Sequence, residues 1–245
     1  MKIIGIIPAR FKSSRFEGKP LANILGKPMI WWVYNQAIKV ELFSEVYVAT
    51  EDDRILEACN NLNIKCLMTS DLHKTGTDRI GEVARKVAAD IYVNIQGDEP
   101  LIEPETIKKA IEPFLTNESL QVSNLMTKIK DPVELNNFTV PKVITNKDNI
   151  GIFLTRSPAP YPKGSIDFNY YKQVCVYGFK PEALEYFCNS ERGKIETIED
   201  IEILRFIENG YKVQFIEVDS ETVAVDTPKD LEKVIEIVSN KKGLQ

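Results

Sequence analysis

Four short segments hold residue types whose spacing could do chemistry. The first is Ile7-Pro8-Ala9-Arg10-Phe11-Lys12-Ser13-Ser14-Arg15-Phe16-Glu17-Gly18-Lys19-Pro20. Its four cations, Arg10, Lys12, Arg15 and Lys19, and its two serines supply the charge and donors that surround a polyphosphate. The segment is not a Walker A loop, because Gly18-Lys19 runs into Pro20, and it carries no GxGxxG fingerprint. By itself it reads equally well as a solvated basic loop. The second segment, Asn94-Ile95-Gln96-Gly97-Asp98-Glu99-Pro100, sets two acids directly after an apolar strand, where a hard cation with phosphate ligands is held. Aspartate and glycine at a strand end are also ordinary turn residues. In the third, Ala224-Val225-Asp226-Thr227-Pro228-Lys229-Asp230-Leu231, Asp226 taken alone reads as a helix cap. The fourth, His73-Lys74-Thr75-Gly76-Thr77-Asp78-Arg79, suits a loop packed against a base or ribose, and equally a helix start with Asp78 favouring the dipole.

Composition narrows the choice. The chain has 245 residues, 43% of them hydrophobic and 27% charged, which is ordinary for a soluble globular protein. A single histidine, His73, excludes a three-histidine zinc site, an HExxH protease and any pair of catalytic histidines. Cys59, Cys66, Cys175 and Cys188 have no CxxC spacing and read as free thiols in a reducing compartment. No signal peptide or membrane span is evident, so the expectation is a cytoplasmic protein without membrane insertion. The formal charge of −5 is unevenly placed: residues 1–27 contain six basic residues and one acid, leaving −10 on the remainder. Positive charge this local, on an acidic chain, argues against nucleic-acid binding.

Strands alternate with helices around these segments. Lys2–Pro8, Glu45–Thr50, Ile64–Met68 and Ile91–Ile95 read as strands, and Met29–Lys39, Asp52–Asn60 and Asp78–Ala89 as the helices between them. Pro104 opens a further helix. This pattern predicts right-handed βαβ units and a parallel sheet through about residue 116. The middle of the chain is richer in strands: Gln121–Met126, Lys142–Thr145, Ile152–Thr155 and Lys172–Phe179, with a hairpin loop over 145–151. Helices are expected at Pro181–Cys188 and Ile195–Glu208, a strand at Lys212–Val218, and a last helix at Pro228–Ser239.

In combination, IPARFKSSRFEGKPL, the GTDR loop, QGDEP and VDTPKDL resemble the CMP-Kdo synthetases, the 3-deoxy-manno-octulosonate cytidylyltransferases, in order and spacing across essentially the whole chain. Sialic-acid cytidylyltransferases are related, but their first loop ends in Arg-Lys-Asn where this one has Gly18-Lys19-Pro20. The resemblance implies one α/β domain over 1–245, a Rossmann-like mixed sheet of the nucleotide-diphospho-sugar transferase type. It also implies a β-rich arm, about 141–190, for sugar binding and homodimer formation. CTP and an acidic sugar would be the ligands. Arg10 and Lys19 would meet the triphosphate, with Ser13, Ser14 and Arg15 lining the same loop. Pro8, Ala9, Thr75 and Gly76 would surround the nucleoside, with Arg79 and Gln96 nearby. Asp98 and Asp226 would hold Mg²⁺, and Arg156, Tyr177 and Glu202 would lie on the sugar side.

The sequence departs from the family on that sugar side. The family's KHxGIYxY/F is Lys172-Gln173-Val174-Cys175-Val176-Tyr177-Gly178-Phe179 here, and in its ExxExLEQLR the glutamine is Ile203. Two polar groups that face the sugar acid are thereby changed, which matters because unpaired buried donors and acceptors discriminate strongly. Two readings follow: an altered ulosonic acid, with an amino or deoxy group near its tail, or Kdo itself with tolerated drift. Transfer to another acidic sugar or to a sugar or alditol phosphate, and a decayed nucleotide-binding dimerisation module, are the alternatives. Lys19, Asp98 and Asp226 would be lost in a decayed enzyme and are all present.

Overall fold

A computed structural model describes residues 1–13, 15–164, 168–220 and 223–242, except the side chains of 241 and 242. The chain divides into two compact units, Met1–Lys108 with Glu221–Gln245, and Lys109–Ser220. The first contains β1 (Ile3–Pro8), a 3-10 turn (Lys19–Leu21), β2 (Asn23–Ile24), β3 (Lys27–Pro28), α1 (Met29–Ala37), β4 (Glu45–Thr50), α2 (Asp53–Asn61), β5 (Cys66–Met68), α3 (Gly76–Lys86), β6 (Ile91–Ile95) and α4 (Pro104–Lys109). The second contains α5 (Glu112–Thr116), β7 (Val122–Lys128), α6 (Pro132–Asn136), β8 (Lys142–Thr145), β9 (Gly151–Thr155), β10 (Tyr171–Phe179), α7 (Pro181–Asn189), α8 (Lys194–Glu199), α9 (Leu204–Glu208) and β11 (Val213–Glu217). The chain then returns to the first unit as α10 (Pro228–Lys242).

In the first unit β1 pairs in parallel with β4 on one side and β6 on the other, and β4 pairs in parallel with β5. Consecutive connections thus run outward from β1 through β4 to β5, then return by α3 to β6 on its opposite edge. That reversal is the topological switch point of an open parallel sheet, where ligands lie against the strand ends. The predicted βαβ order is observed. β1 is buried along nearly its whole length, as a central parallel strand must be. Val225 and the last helix, through Val234 and Val238, close on this unit in a core shared with Ile24 and Met29; Phe16 and Trp32 pack against it.

The second unit mixes directions. β11 runs parallel to β7, whereas β7–β10, β10–β8 and β8–β9 are antiparallel. Its core centres on Phe206, whose ring lies 5.5 Å from Phe187, 5.8 Å from Phe179 and 5.7 Å from Tyr211. The expected helix over Ile195–Glu208 is two helices instead. Asp200 ends α8 in the left-handed conformation, with φ of 51°. The Arg156 side chain takes over the carbonyls of Glu199 and Asp200, at 2.6 and 3.0 Å, which a continuous helix would have used internally.

Two charged clusters hold the units internally. In the first unit, Glu82 on α3 clamps the loop before the helix. Its carboxylate accepts from the Ser70 amide at 2.8 Å, lies 2.5 Å from His73 Nε2, and pairs with Lys86 at 2.7 Å. Burial pushes the Glu82 carboxyl up, but Lys86, the Ser70 amide and His73 outweigh it and hold the pKa at about 2. In the second unit Glu196 and Arg205 form a buried bidentate pair at 2.7 and 2.8 Å, and Arg205 also donates to the Phe187 carbonyl at 2.8 Å.

Each cluster makes a prediction. A carboxyl whose folded-state pKa lies below its unfolded value adds stability that is complete above the unfolded pKa and fades as pH falls towards 2. Urea unfolding near neutral pH should show Glu82→Gln less stable than the unmutated protein by about 1–3 kcal/mol, and the gap should close near about pH 2. A constant gap would contradict this. For the buried pair, Glu196→Ala should cost about 3–5 kcal/mol in chemical denaturation, because it strands a buried guanidinium. Replacing both partners by apolar residues, Glu196→Leu with Arg205→Met, should recover most of that loss.

Candidate active site

The site is assembled at the carboxyl ends of β1 and β6. β1 ends at Pro8, and the Ala9 amide extends its pairing to the Ala49 carbonyl at 2.8 Å. The loop that follows is closed on itself, with the Gly18 amide donating to the Phe11 carbonyl at 2.9 Å. Gly18 adopts φ of 69°, a conformation that favours glycine, and it turns the chain so that Lys19 starts the 3-10 turn. Phe11 anchors the loop: its amide donates to Glu51 Oε1 at 3.1 Å, and the Arg54 guanidinium stacks on its ring at 3.3 Å. Between these anchors Arg10, Lys12, Ser13 and Glu17 line a cavity of about 330 Å³. Arg10 and Lys12 are exposed and form no ion pair among the described residues. Ser14 lies outside the described residues.

Lys19 points inward. Its ammonium lies 2.6 Å from Asp98 Oδ2 and 3.5 Å from Asp226 Oδ1, and Arg15 reaches Asp226 Oδ2 at 3.1 Å. The loop carrying Asp98 can approach β1 this closely because residue 97 is glycine: a Cβ there would stand 2.9 Å from the Pro8 carbonyl oxygen. Asp226 is held nearby by the Val225 amide, which donates to the Asp98 carbonyl at 2.8 Å. The last helix does not use Asp226 as its cap. Thr227 and Asp230 cap it together, Thr227 Oγ1 lying 2.7 Å from Asp230 Oδ2 and the Thr227 amide 2.9 Å from the same oxygen. The Asp226 carboxylate therefore remains available to the cations.

Two carboxylate oxygens within 3.5 Å of one ammonium describe a place that a small hard cation also fits. No group of three or more His, Cys, Asp or Glu side chains able to hold a metal occurs among the described residues. A metal on Asp98 and Asp226 would complete its shell with phosphate oxygens and water, as Mg²⁺ commonly does.

Of the residues expected around a nucleoside, the structure brings some beside Pro8 and turns another away. Thr75 caps α3 in a reciprocal capping box with Asp78, so the helix begins at Gly76 rather than at Asp78. Gly76 packs on Pro8, where a Cβ would sit 3.7 Å from the ring. Gln96 is half-buried in the turn after β6. Arg79, in contrast, is turned into the protein. It is 5% exposed, lies 2.7 Å from Glu51 Oε2 as an ion pair without hydrogen-bond alignment, and donates to Thr69 Oγ1. Burial lowers its pKa, while Glu51 and Glu82 oppose the shift.

Sequence reasoning missed Glu51, which joins Arg79 to the loop amide, and Asn94. Asn94 is 1% exposed, and its side-chain oxygen has no hydrogen-bond partner. A lone amide in the apolar run of β6 was the available signal for it.

The residues expected on the sugar side lie in the second unit. Arg156 is heavily engaged: Nε and both terminal nitrogens donate to the carbonyls of Glu199, Phe138, Thr139 and Asp200. Glu199 returns the contact, accepting from Thr155 Oγ1 at 2.6 Å and from the Arg156 amide at 2.8 Å. Tyr177 is buried and stacks on Phe179 with centroids 6.0 Å apart. Ile203 is 2% exposed at the start of α9, and Glu202 precedes it half-buried. Gln173 is oriented by a chain of constraints. Asn124 Nδ2 donates at 2.9 Å to the carbonyls of Val174 and Val176, which can only accept. Asn124 Oδ1 must therefore face Gln173 Nε2, at 2.8 Å, and the Gln173 carbonyl turns away from it.

Known proteins similar to this chain identify its family. The cytidylyltransferase family model matches residues 4–218. The 3-deoxy-manno-octulosonate cytidylyltransferase of Geotalea uraniireducens is 43% identical, covering 96% of this chain and 98% of that protein. The enzyme of the same name from Fusobacterium nucleatum is 41% identical, covering 97% of each. The solved structure of CMP:2-keto-3-deoxy-manno-octonic acid synthetase complexed with CTP superposes with a TM-score of 0.94 at 37% identity, over 98% of this chain and 100% of that one. A 4-diphosphocytidyl-2C-methyl-D-erythritol synthase from Anaerococcus prevotii, at 14% identity and a TM-score of 0.62, shares the fold. No helix among the described residues is long and apolar enough to cross a membrane. Matched through both of its units, the chain belongs to the cytidylyltransferase family of CTP-dependent nucleotidyltransferases.

Proposed function

We propose that this protein couples CTP to the 3-deoxy-2-ulosonic acid Kdo, releasing CMP-Kdo and pyrophosphate. The observation that carries this reading is Lys19 lying between Asp98 and Asp226 at the mouth of the basic loop. In the reaction the anomeric hydroxyl oxygen bonds to the α-phosphorus and the bond between that phosphorus and the bridging oxygen breaks. Pyrophosphate leaves with the electron pair, and the hydroxyl proton passes to water.

Most of the barrier to this transfer is charge repulsion and misalignment. Arg10, Lys12, Arg15 and Lys19 counter the charge on the triphosphate and on the departing pyrophosphate, and the Ser13 hydroxyl, whose oxygen accepts from the Phe16 amide at 3.4 Å, keeps its proton to donate to phosphate. Ala9, Thr75, Gly76 and Gln96 border the nucleoside, and Arg79 braces this wall from behind through Glu51 and Thr69. Asp98 and Asp226 would hold Mg²⁺, which when bound makes the α-phosphate a better electrophile and the hydroxyl a better acid. No histidine base is required, consistent with His73 being engaged by Glu82.

On the sugar side Gln173 would present a carbonyl acceptor, favouring a hydroxyl or ammonium donor on the acceptor. Arg156 shapes the wall it belongs to through its carbonyl contacts. The protein acts in the cytoplasm as a homodimer; the second unit exposes Val133, Phe138, Ile152, Tyr161, Phe168 and Ile198, apolar area suited to a second copy.

Pyrophosphate release with CTP, Mg²⁺ and a panel of Kdo, its 8-amino analogue and other ulosonic acids tests the proposal. Kdo should support turnover, and Asp98→Asn or Asp226→Asn should lower kcat by roughly 10²–10³-fold. Turnover with the amino analogue alone would move the acceptor assignment to the modified sugar. No CTP-dependent release with any ulosonic acid would overturn the reaction.

A further inference from the structure

We infer that Lys19, assisted by Arg15, occupies the metal's place on the Asp98–Asp226 pair until a nucleotide arrives, so that metal and triphosphate bind as a unit. The exchange rests on the reading above that these two carboxylates hold the divalent cation.

Three observations in the first unit carry it. Lys19 Nζ contacts both carboxylates, at 2.6 and 3.5 Å, and so stands where a shared cation would have to stand. Its side chain is only 16% exposed and that of Asp98 only 25%, so the ion pair is shielded from competing water and salt. Arg15 adds a second positive charge at 3.1 Å from the far oxygen of Asp226. Two cations therefore balance two anions, and the carboxylate pair offers no net negative field to a divalent ion. A metal approaching alone meets the ammonium and guanidinium already in contact with its ligands.

The rest of the loop supplies the release. Arg10 and Lys12 are exposed and unpaired among the described residues, and they line the cavity with Ser13. They are placed to receive an incoming triphosphate first. The polyanion then gives Lys19 and Arg15 an alternative anionic partner a short side-chain movement away, and the carboxylates become free for the cation that the same phosphates carry. The two bindings are thereby coupled, each raising the affinity for the other. A chain with this arrangement holds little metal between turnovers and admits it with the substrate.

The test uses Mn²⁺ as a spectroscopic stand-in for Mg²⁺, read by electron paramagnetic resonance without nucleotide. The unmutated protein should bind Mn²⁺ weakly. Lys19→Met should bind it at least about tenfold more tightly, and Arg15→Met about threefold, because each removes a competing cation. Lys19→Arg keeps the charge and should remain as weak as the unmutated protein. Lys12→Met removes a loop charge that touches neither carboxylate and should change the affinity less than about twofold. Melting curves check that each variant is folded. Arg15 is 61% exposed, so Arg15→Met decides the question if Lys19→Met does not fold. Unchanged Mn²⁺ affinity in Lys19→Met and Arg15→Met, or an equal gain in Lys12→Met, overturns the exchange. Adding Asp98→Asn to Lys19→Met should abolish the gained binding. If the gain persists there, the metal assignment itself has failed, independently of any result with CTP or sugar.

Discussion

Everything at this site depends on one electrostatic constraint, the balance of two cations, Lys19 and Arg15, against two carboxylates at the switch point of a parallel sheet. Lys19 and Asp98 are separated by 79 residues and meet at 2.6 Å. β1 and β6 are neighbours, so the loops leaving them emerge side by side, and Gly97 lets one pass within contact of the other's backbone. Asp226 is brought in from the far end of the chain by the apolar packing of Val225 and the last helix against Ile24 and Met29. The hydrophobic core thus fixes where the charges stand, and the charges define what can bind.

The architecture of the first unit was legible because its signals are local. Continuous apolar runs separated by amphipathic helices have few solutions other than a parallel sheet. The chemistry was legible only in combination. Asp226 alone reads as a helix cap, and just the neighbouring Thr227–Asp230 pairing shows that the cap is supplied elsewhere. Arg79 and Glu51 could not be sorted from sequence, because whether a guanidinium faces ligand or protein depends on a partner 28 positions away that no periodicity reveals. The break between α8 and α9 was illegible for the same reason. It requires Arg156, from a distant strand end, to take the carbonyls that would have continued the helix.

Several residues that carry the family's pattern in the second unit do structural work there. Glu196 and Arg205 form an internal ion pair, and Glu199 holds the Thr155–Arg156 corner; Lys142, outside that pattern, is buried with its ammonium on the carbonyls of Asn137, Val140 and Arg156. Burial lowers the Lys142 pKa, and three carbonyl acceptors satisfy the ammonium's donors. A rigid frame of this kind fixes where Gln173 and Ile203 stand, so differences confined to those two positions can change the polar groups they present without disturbing the fold.

By the exchange inferred above, Lys19 serves two partners in turn, the carboxylates when the site is empty and phosphate when it is filled. A crystal structure with Mg²⁺ and a CTP analogue that cannot release pyrophosphate tests it most directly. Lys19 Nζ is expected on a phosphate oxygen, with Asp98 and Asp226 on the metal. Lys19 still within hydrogen-bonding distance of Asp98, with nucleotide and metal both bound, would contradict it.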